Sequence, residues 1–328
     1  MIISYHSHCM KNFDPNGYIA SLSLRDEDII IMKDMINKLL ITYPGADSLL
    51  RAIMNTIGGG ACNTPQNVGY SKKTIKLDLP ITDRCNLGCA SCSHFAPLAN
   101  DSPIIPVDDI EASLTLLSEK CQSSVGEIFI LGGEPLLHPD LTKIIAITRR
   151  LYPYSSIFLV SNMLLFEKRW NEIADSLITN KIIVGFSKYG KVNDRQVVNS
   201  IKLCMENWIQ TALFGSDPAL FNSYLKSENP SYNAIMKQNC DMKTCLTLRG
   251  NYLYMCSPVT YLKYPNRAFG MSLKASKYDR IDIRDIYNED EVLALSELPN
   301  PFCRHCDVEH NHKIAWRPSK KERSEWFL

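Results

Sequence analysis

The sequence predicts an α/β protein built on a parallel sheet, with a helical extension before it and a cysteine-rich module after it. Three observations predict this. Short apolar strands alternate with amphipathic helical stretches from residue 72 to residue 215, and strands joined by crossover helices form parallel sheets. The chain has 328 residues, enough for a core of roughly 200 residues plus a smaller module. Of its 12 cysteines, three lie between residues 85 and 92 and five between residues 240 and 306.

Composition excludes several classes. Hydrophobic residues make up 45% and charged residues 22%, ordinary globular values that rule out a disordered, collagenous or coiled-coil chain. The balance of 36 basic against 35 acidic residues, net +1, gives no bulk attraction to nucleic acid or membrane. No apolar run reaches the roughly 18 to 20 residues that cross a bilayer, and the first residues lack the pattern of a secretory signal. A cytoplasmic location is expected. In that compartment thiols stay reduced, so metal binding is the leading explanation for the cysteine count. The scattered Cys9, Cys62, Cys121 and Cys204 are expected to be packing or surface residues.

The elements follow in order. Residues 25–41 and 46–57 carry helical periodicity, the second helix stopped by Gly58-Gly59-Gly60. From Lys72 the pattern changes to the alternating strand KTIKLDLPIT, ending just before Cys85. Asp108-Asp109 opens a helix through IEASLTLLSEK, and EIFIL (127–131) is a short buried strand. Pro139 is expected as the first helical residue of the stretch DLTKIIAITRRL. SSIFLV (155–160) is a strand, residues 167–178 a helix, KIIVGFS (181–187) a strand, residues 193–206 a helix and WIQTALF (208–214) a strand. Domain limits follow at residues 1–71, 72–215 and 216–328.

A parallel sheet binds its ligand at the carboxyl ends of its strands. Cys85, Cys89 and Cys92 follow the first strand, Gly132-Gly133-Glu134-Pro135 the second, Ser161-Asn162 the third and Ser187-Lys188-Tyr189 the fourth. Four segments thus converge on one rim. The first reads CNLGCASC, and three thiolates on one tight loop can ligate three irons of a 4Fe-4S cluster and leave the fourth open, whereas a structural zinc site normally closes with four ligands.

The Cys-x3-Cys-x2-Cys spacing followed by GGEP resembles the radical SAM superfamily over residues 72–215. The resemblance implies a partial (β/α)6 barrel and an enzyme in which the open iron is chelated by S-adenosylmethionine. Reductive cleavage then yields methionine and a 5′-deoxyadenosyl radical that removes a hydrogen atom from substrate. It implies Cys85, Cys89 and Cys92 as cluster ligands. It also implies that Gly132, Gly133, Glu134 and Pro135 lie along the methionine moiety, and that Ser161, Asn162 and Ser187 serve the ribose and carboxylate. Many relatives carry an aromatic residue just before the third cysteine to pack on the adenine; here that position is Ser91, and Phe95 is expected to substitute. His94 is either a polar group near the cluster or a loop histidine, and Lys188 and Tyr189 are either substrate contacts or a solvated pair.

Cys245 and Cys256 are separated by ten residues with Gly250 at a turn, and Cys303-Arg-His-Cys306 adds a Cys-x2-Cys. A hairpin brings the first two thiolates together, and the later pair closes a four-thiolate site. This is similar to the twitch module, a shortened SPASM domain with one auxiliary 4Fe-4S cluster that relays electrons. A zinc ribbon would use the same four residues; Cys240 is expected to stay outside the site, and His305, His310 and His312 are dispensable beside four cysteines. The run Lys320-Lys321-Glu322-Arg323 is expected on solvated helix surface.

The wider pattern, with SKYG and the Trp-rich end AWRPSKKERSEWFL, looks like radical SAM proteins associated with glycan biosynthesis. The expected partners are a small polar substrate, plausibly a sugar or nucleotide-linked sugar, and a reductant such as flavodoxin or ferredoxin. A peptide-modifying maturase and a non-catalytic iron-sulfur or zinc binding protein are the alternatives.

Overall fold

The computed structural model describes residues 12–58, 74–214, 220–223, 225–226, 240, 243, 245–308 and 312–327. Cys9, Gly59, Gly60, Cys62 and His310 lie outside them. Three helices come first: α1 (Pro15–Leu22), α2 (Asp26–Thr42) and α3 (Asp47–Thr56). Asp14 caps α1 by accepting the Gly17 N–H at 3.0 Å. Asp26, Glu27 and Asp28 occupy the first turn of α2, at the positive end of its dipole. This unit docks on the far end of the chain: Tyr18 donates to the Pro299 carbonyl at 2.6 Å, and the Arg304 guanidinium to the Ser21 carbonyl at 2.7 Å.

The alternation then runs β1 (Ile75–Thr82), α4 (Val107–Cys121), β2 (Val125–Gly132), α5 (Leu141–Leu151), β3 (Ser156–Ser161), α6 (Phe166–Thr179), β4 (Ile183–Ser187), α7 (Asp194–Glu206) and β5 (Thr211–Phe214). Every neighbouring pair among these five strands is parallel. Cys121 and Cys204 are buried at helix ends, as packing residues. Two of the boundary differences from expectation have a clear local cause. Pro139 does not open α5, because Asp140 donates its N–H to His138 Nδ1 at 3.1 Å in a turn and takes the N-cap position. The last strand begins at Thr211 rather than 208, since Trp208 adopts φ +58, outside the extended region.

After β5 the strands no longer follow sequence order in the sheet. β6 (Leu220–Ser223) leaves the sheet and pairs antiparallel with β10 (His312–Ala315). The sixth parallel strand is β7 (Cys245–Arg249), which lies beside β1 and forms an antiparallel hairpin with β8 (Tyr252–Tyr254), followed by β9 (Arg280–Asp282). The strand order is β5-β4-β3-β2-β1-β7-β8-β9. One sheet therefore runs across the boundary expected at residue 215.

Strand alternation decides what each face carries. Leu77, Leu79, Ile128, Ile130, Leu246 and Leu248 are at most 2% exposed and join the main core with the helices. Each such side chain contributes roughly 1.5 to 3 kcal/mol when buried. Asp78, Phe129, Phe158 and Thr247 alternate with them and turn to the opposite face. Helices α8 (Ser257–Thr260), α9 (Lys263–Phe269) and α10 (Glu289–Glu297) complete the fold. A second core forms around Phe95, Tyr261, Tyr264, Phe302, Trp326 and Phe327. Among the described residues no helix is long and apolar enough to cross a membrane.

Candidate active site

The strand ends meet through backbone. Gly133 donates to the Thr82 carbonyl and Glu134 to the Arg84 carbonyl, each at 2.8 Å. A Cβ on Gly132 would stand 2.1 Å from the Thr82 oxygen, and one on Gly133 2.1 Å from the Arg84 oxygen. The backbone that these glycines admit is thus that of residues 82–84, which leads into the cysteine loop, where the sequence reading had placed the methionine moiety. Asp83 anchors the same loop: Arg249 grips it bidentately at 2.7 Å and Tyr264 donates to it. Burial works to raise its carboxyl, and the Arg249 hydrogen bonds and charge overcome that, leaving it below the ordinary range.

Glu134 is 1% exposed and organises the third strand's end. It accepts from Ser161 Oγ at 2.7 Å and from the N–H groups of Asn162 at 2.9 Å and Leu136 at 3.0 Å, within the turn that Pro135 starts. Burial nevertheless pushes its carboxyl up to about 7. Asn162 donates to Asn86 Oδ1 at 2.8 Å, and its amide nitrogen stands 3.9 Å from Cys85 Sγ. Asn193, a residue the sequence reading passed over, ties two rim segments by donating to the Asn162 carbonyl at 2.9 Å and the Ser187 carbonyl at 2.8 Å.

Cys85, Cys89 and Cys92 share one electrostatic neighbourhood. Burial raises all three thiols, Cys89 to about 12. Each also faces N–H donors: Leu87 N–H to Cys85 at 3.4 Å, the Trp316 indole to Cys89 at 3.1 Å, and the backbone of His94, Phe95 and Ala96 to Cys92. Donors aimed at sulfur in a dry loop favour the thiolate that a cluster requires. Tyr189 is held high by burial and next by the charges of all three thiols; its ring stacks 6.0 Å from Phe221. Lys188 turns to Asp194 at 3.8 Å. His94 bonds the Gly132 carbonyl through Nδ1 at 2.8 Å and stacks on Tyr261 at 4.8 Å, so it braces the loop.

Phe95 does not sit where the sequence reading put it. Its ring is 0% exposed and packs 5.8 Å from Trp326 and 6.2 Å from Phe327 in the second core, so it faces protein on all sides. Those partners belong to a C-terminal strap that the sequence did not reveal. Ala90 N–H donates to the Arg317 carbonyl at 3.0 Å, Ser319 N–H to the Gly88 carbonyl at 2.8 Å, and the Trp326 indole to the Cys92 carbonyl at 2.9 Å. The charge run at 320–323 lies in this irregular strap instead of on a helix, exposed as expected.

In the second group, β7 and β8 pair Thr247 with Tyr254 and Leu248 with Leu253, and the same register continued places Cys245 opposite Cys256. Cys303 and Cys306 flank a short turn, with Cys306 N–H donating to the Cys303 carbonyl at 3.0 Å. Cys256 and Cys306 both pack on the second core, and Cys303 on the main one. Cys240 precedes β7, His305 follows Cys303 in the turn, and His312 opens β10. Among the described residues no three His, Cys, Asp or Glu side chains gather as ligands of a single metal ion.

Residues 79–187 match the Radical SAM superfamily. The segment from β1 to β4 is thus similar to the radical SAM superfamily domain. The GTP 3′,8-cyclase of Staphylococcus saprophyticus subsp. saprophyticus is 33% identical over 103 residues, which span 30% of this chain and 30% of that protein. Molybdenum cofactor biosynthesis protein 1 of Bos taurus is 33% identical over 88 residues, 26% of this chain and 13% of that protein. The similarity thus spans less than a third of these relatives. Among solved structures, BtrN in complex with AdoMet and 2-DOIA is 14% identical with TM-score 0.45, covering 73% of this chain and 94% of its own.

Proposed function

We propose that the protein is a radical SAM enzyme that reductively cleaves S-adenosylmethionine and takes a hydrogen atom from a small polar substrate bearing a sugar ring. The observation that carries this reading is the placement of Cys85, Cys89 and Cys92 on one loop, each with N–H donors at its sulfur, at the rim that Gly132, Gly133 and Glu134 brace. These three thiols fit a cluster with one open iron. When bound, it supplies the electron that breaks a C–S bond of S-adenosylmethionine to give methionine and the 5′-deoxyadenosyl radical.

The chain's own residues supply position and dryness. The donors to sulfur stabilise the negative charge of the ligand set. Asn162, tied to Asn86 and close to Cys85, and Ser187, beside Tyr189, are the polar groups that meet the co-substrate. Glu134 is consumed in holding Ser161 and the Asn162 backbone, and so acts by fixing the rim. Phe95 has no part in stacking. We further propose that Cys245, Cys256, Cys303 and Cys306 hold an auxiliary 4Fe-4S cluster and that flavodoxin or ferredoxin reduces the enzyme. The hairpin register that sets Cys245 opposite Cys256 supports the four-thiolate site.

Anaerobic reconstitution tests the reading, through iron, zinc and sulfide content and then 5′-deoxyadenosine formed with dithionite and S-adenosylmethionine. About eight irons with cleavage are expected. About four irons plus zinc would reassign the second group, and no cleavage by the reduced, iron-loaded protein would make this a binding protein. The triple change Cys85→Ala, Cys89→Ala and Cys92→Ala is expected to abolish cleavage while sparing the second site.

A further inference from the structure

The sheet face opposite the main core carries polar groups with nothing to bind. Asp78 is 8% exposed, and among the described residues no group donates to its carboxylate; burial is the sole influence on it. Directly beside it in register stands Thr247, 0% exposed, whose hydroxyl has no partner among the described residues. Tyr261, also 0% exposed and with no partner for its hydroxyl among the described residues, lies within electrostatic range of both Asp78 and Cys92. The nearby cations are engaged elsewhere: Lys76 pairs with Glu127 at 3.1 Å and Arg249 with Asp83 at 2.7 Å. Two buried hydroxyls left unsatisfied near a carboxylate that accepts no hydrogen bond among the described residues are costly, and such groups call for an explanation.

The rest of the row supplies one. The strand register runs Thr247, Asp78, Phe129, Phe158 across four strands. Phe129 and Phe158 stack at 4.9 Å, and Phe214 meets both edge-on at 6.0 and 6.1 Å. These rings are half-buried and stay out of the main core. An aromatic floor ending in a carboxylate and a hydroxyl suits a sugar ring, whose C–H face packs on the rings while its hydroxyls donate to the acid. The floor connects to the cysteine loop through Tyr261, which stacks on His94, two residues after Cys92.

We propose that this row, with the Tyr261 hydroxyl beside it, is the recognition site for a hydroxyl-bearing sugar ring of the substrate, and that Asp78 accepts its hydroxyl hydrogens. The inference rests on the radical SAM reading for its place in catalysis and on the orphaned polar groups for its existence. The hexose of a sugar nucleotide and the ribose of a nucleotide share this chemistry.

The experiment uses the iron-loaded full chain with S-adenosylmethionine bound. Dissociation constants for UDP-N-acetylglucosamine and for GTP are measured on wild type, Asp78→Asn and Thr247→Val, and the melting temperature of the ligand-free protein is measured for Asp78→Leu. At least one probe is expected to bind, with affinity at least tenfold weaker in Asp78→Asn and weaker in Thr247→Val; which probe binds separates hexose from ribose. Asp78→Leu is expected to raise the melting temperature, since it removes a buried carboxyl kept for a ligand. Equal affinity in wild type and variants, binding of neither probe, or a lowered melting temperature in Asp78→Leu would each overturn the proposal. Failure of wild type to form 5′-deoxyadenosine while Asp78-dependent binding persists would remove the catalytic reading and leave the floor standing.

Discussion

At the residue scale, the sulfur of Cys89 shows how a single donor matters. Its partner is the Trp316 indole N–H at 3.1 Å, 227 residues away in sequence. Hydrogen bonds to ligand sulfurs stabilise the more negative, reduced state of an iron-sulfur cluster and so raise its potential. Trp316→Phe keeps the ring and removes the donor. The reduction potential of the first cluster, followed by EPR-monitored titration, is expected to fall in this variant with iron content unchanged; an unmoved potential would show that the indole only packs. The cysteine spacing was legible in the sequence because three ligands sit on one loop. Trp316 was not, because no local pattern couples a tryptophan to a cysteine so distant. Ser91 is similar: its departure from the family pattern was visible, but not that its hydroxyl, at φ +58, donates to the Glu325 carbonyl.

At the scale of elements, the strap of residues 316–327 holds the cysteine loop from outside, and Glu325 holds the strap. Its carboxylate is buried and accepts from Arg317 and the Lys320 N–H, at 2.7 and 2.8 Å, and from Ser319 Oγ. Glu325→Ala strands those donors at a cost of roughly 1 to 3 kcal/mol. The expected outcome is a lower melting temperature together with faster loss of iron to a chelator, whereas Arg323→Ala on the exposed side is expected to change neither. The five strands and four crossover helices of this run were legible because each strand and helix writes its own period. The place of β7 was not: parallel pairing with β1 joins segments about 170 residues apart, and a strand's own alternation says nothing of its neighbour. The same silence hid Asp78, which reads as one polar position of an alternating strand until the register sets it between Thr247 and Phe129.

For the whole molecule, opposing carboxylates set the pH at which the fold is most stable. Burial pushes Asp78, Glu134 and Glu291 up to about 7, and among the described residues both oxygens of Glu291 lack partners. Each is therefore protonated in the fold at pH values where the unfolded chain has already released its proton. Stability falls as pH rises from the unfolded value toward 7, by about 1.4 kcal/mol per pH unit for each group. Asp83 and Glu325 act in the other direction. Despite burial, hydrogen bonds and neighbouring guanidinium groups hold both below the ordinary carboxylate range, so their contribution is present at neutral pH and lost on acidification through their folded values. The two sets leave stability highest at roughly pH 4 to 5, declining toward pH 7. Denaturant unfolding of the full chain at pH 5 and pH 7.5 is expected to give the higher free energy at pH 5. Glu291→Gln, which removes one of these raised groups, is expected to shrink that difference by about 3 kcal/mol at most. A difference unchanged by Glu291→Gln would mean that the carboxyl finds a donor in solution, and would assign the pH dependence to Asp78 on the proposed sugar floor and to Glu134 on the rim.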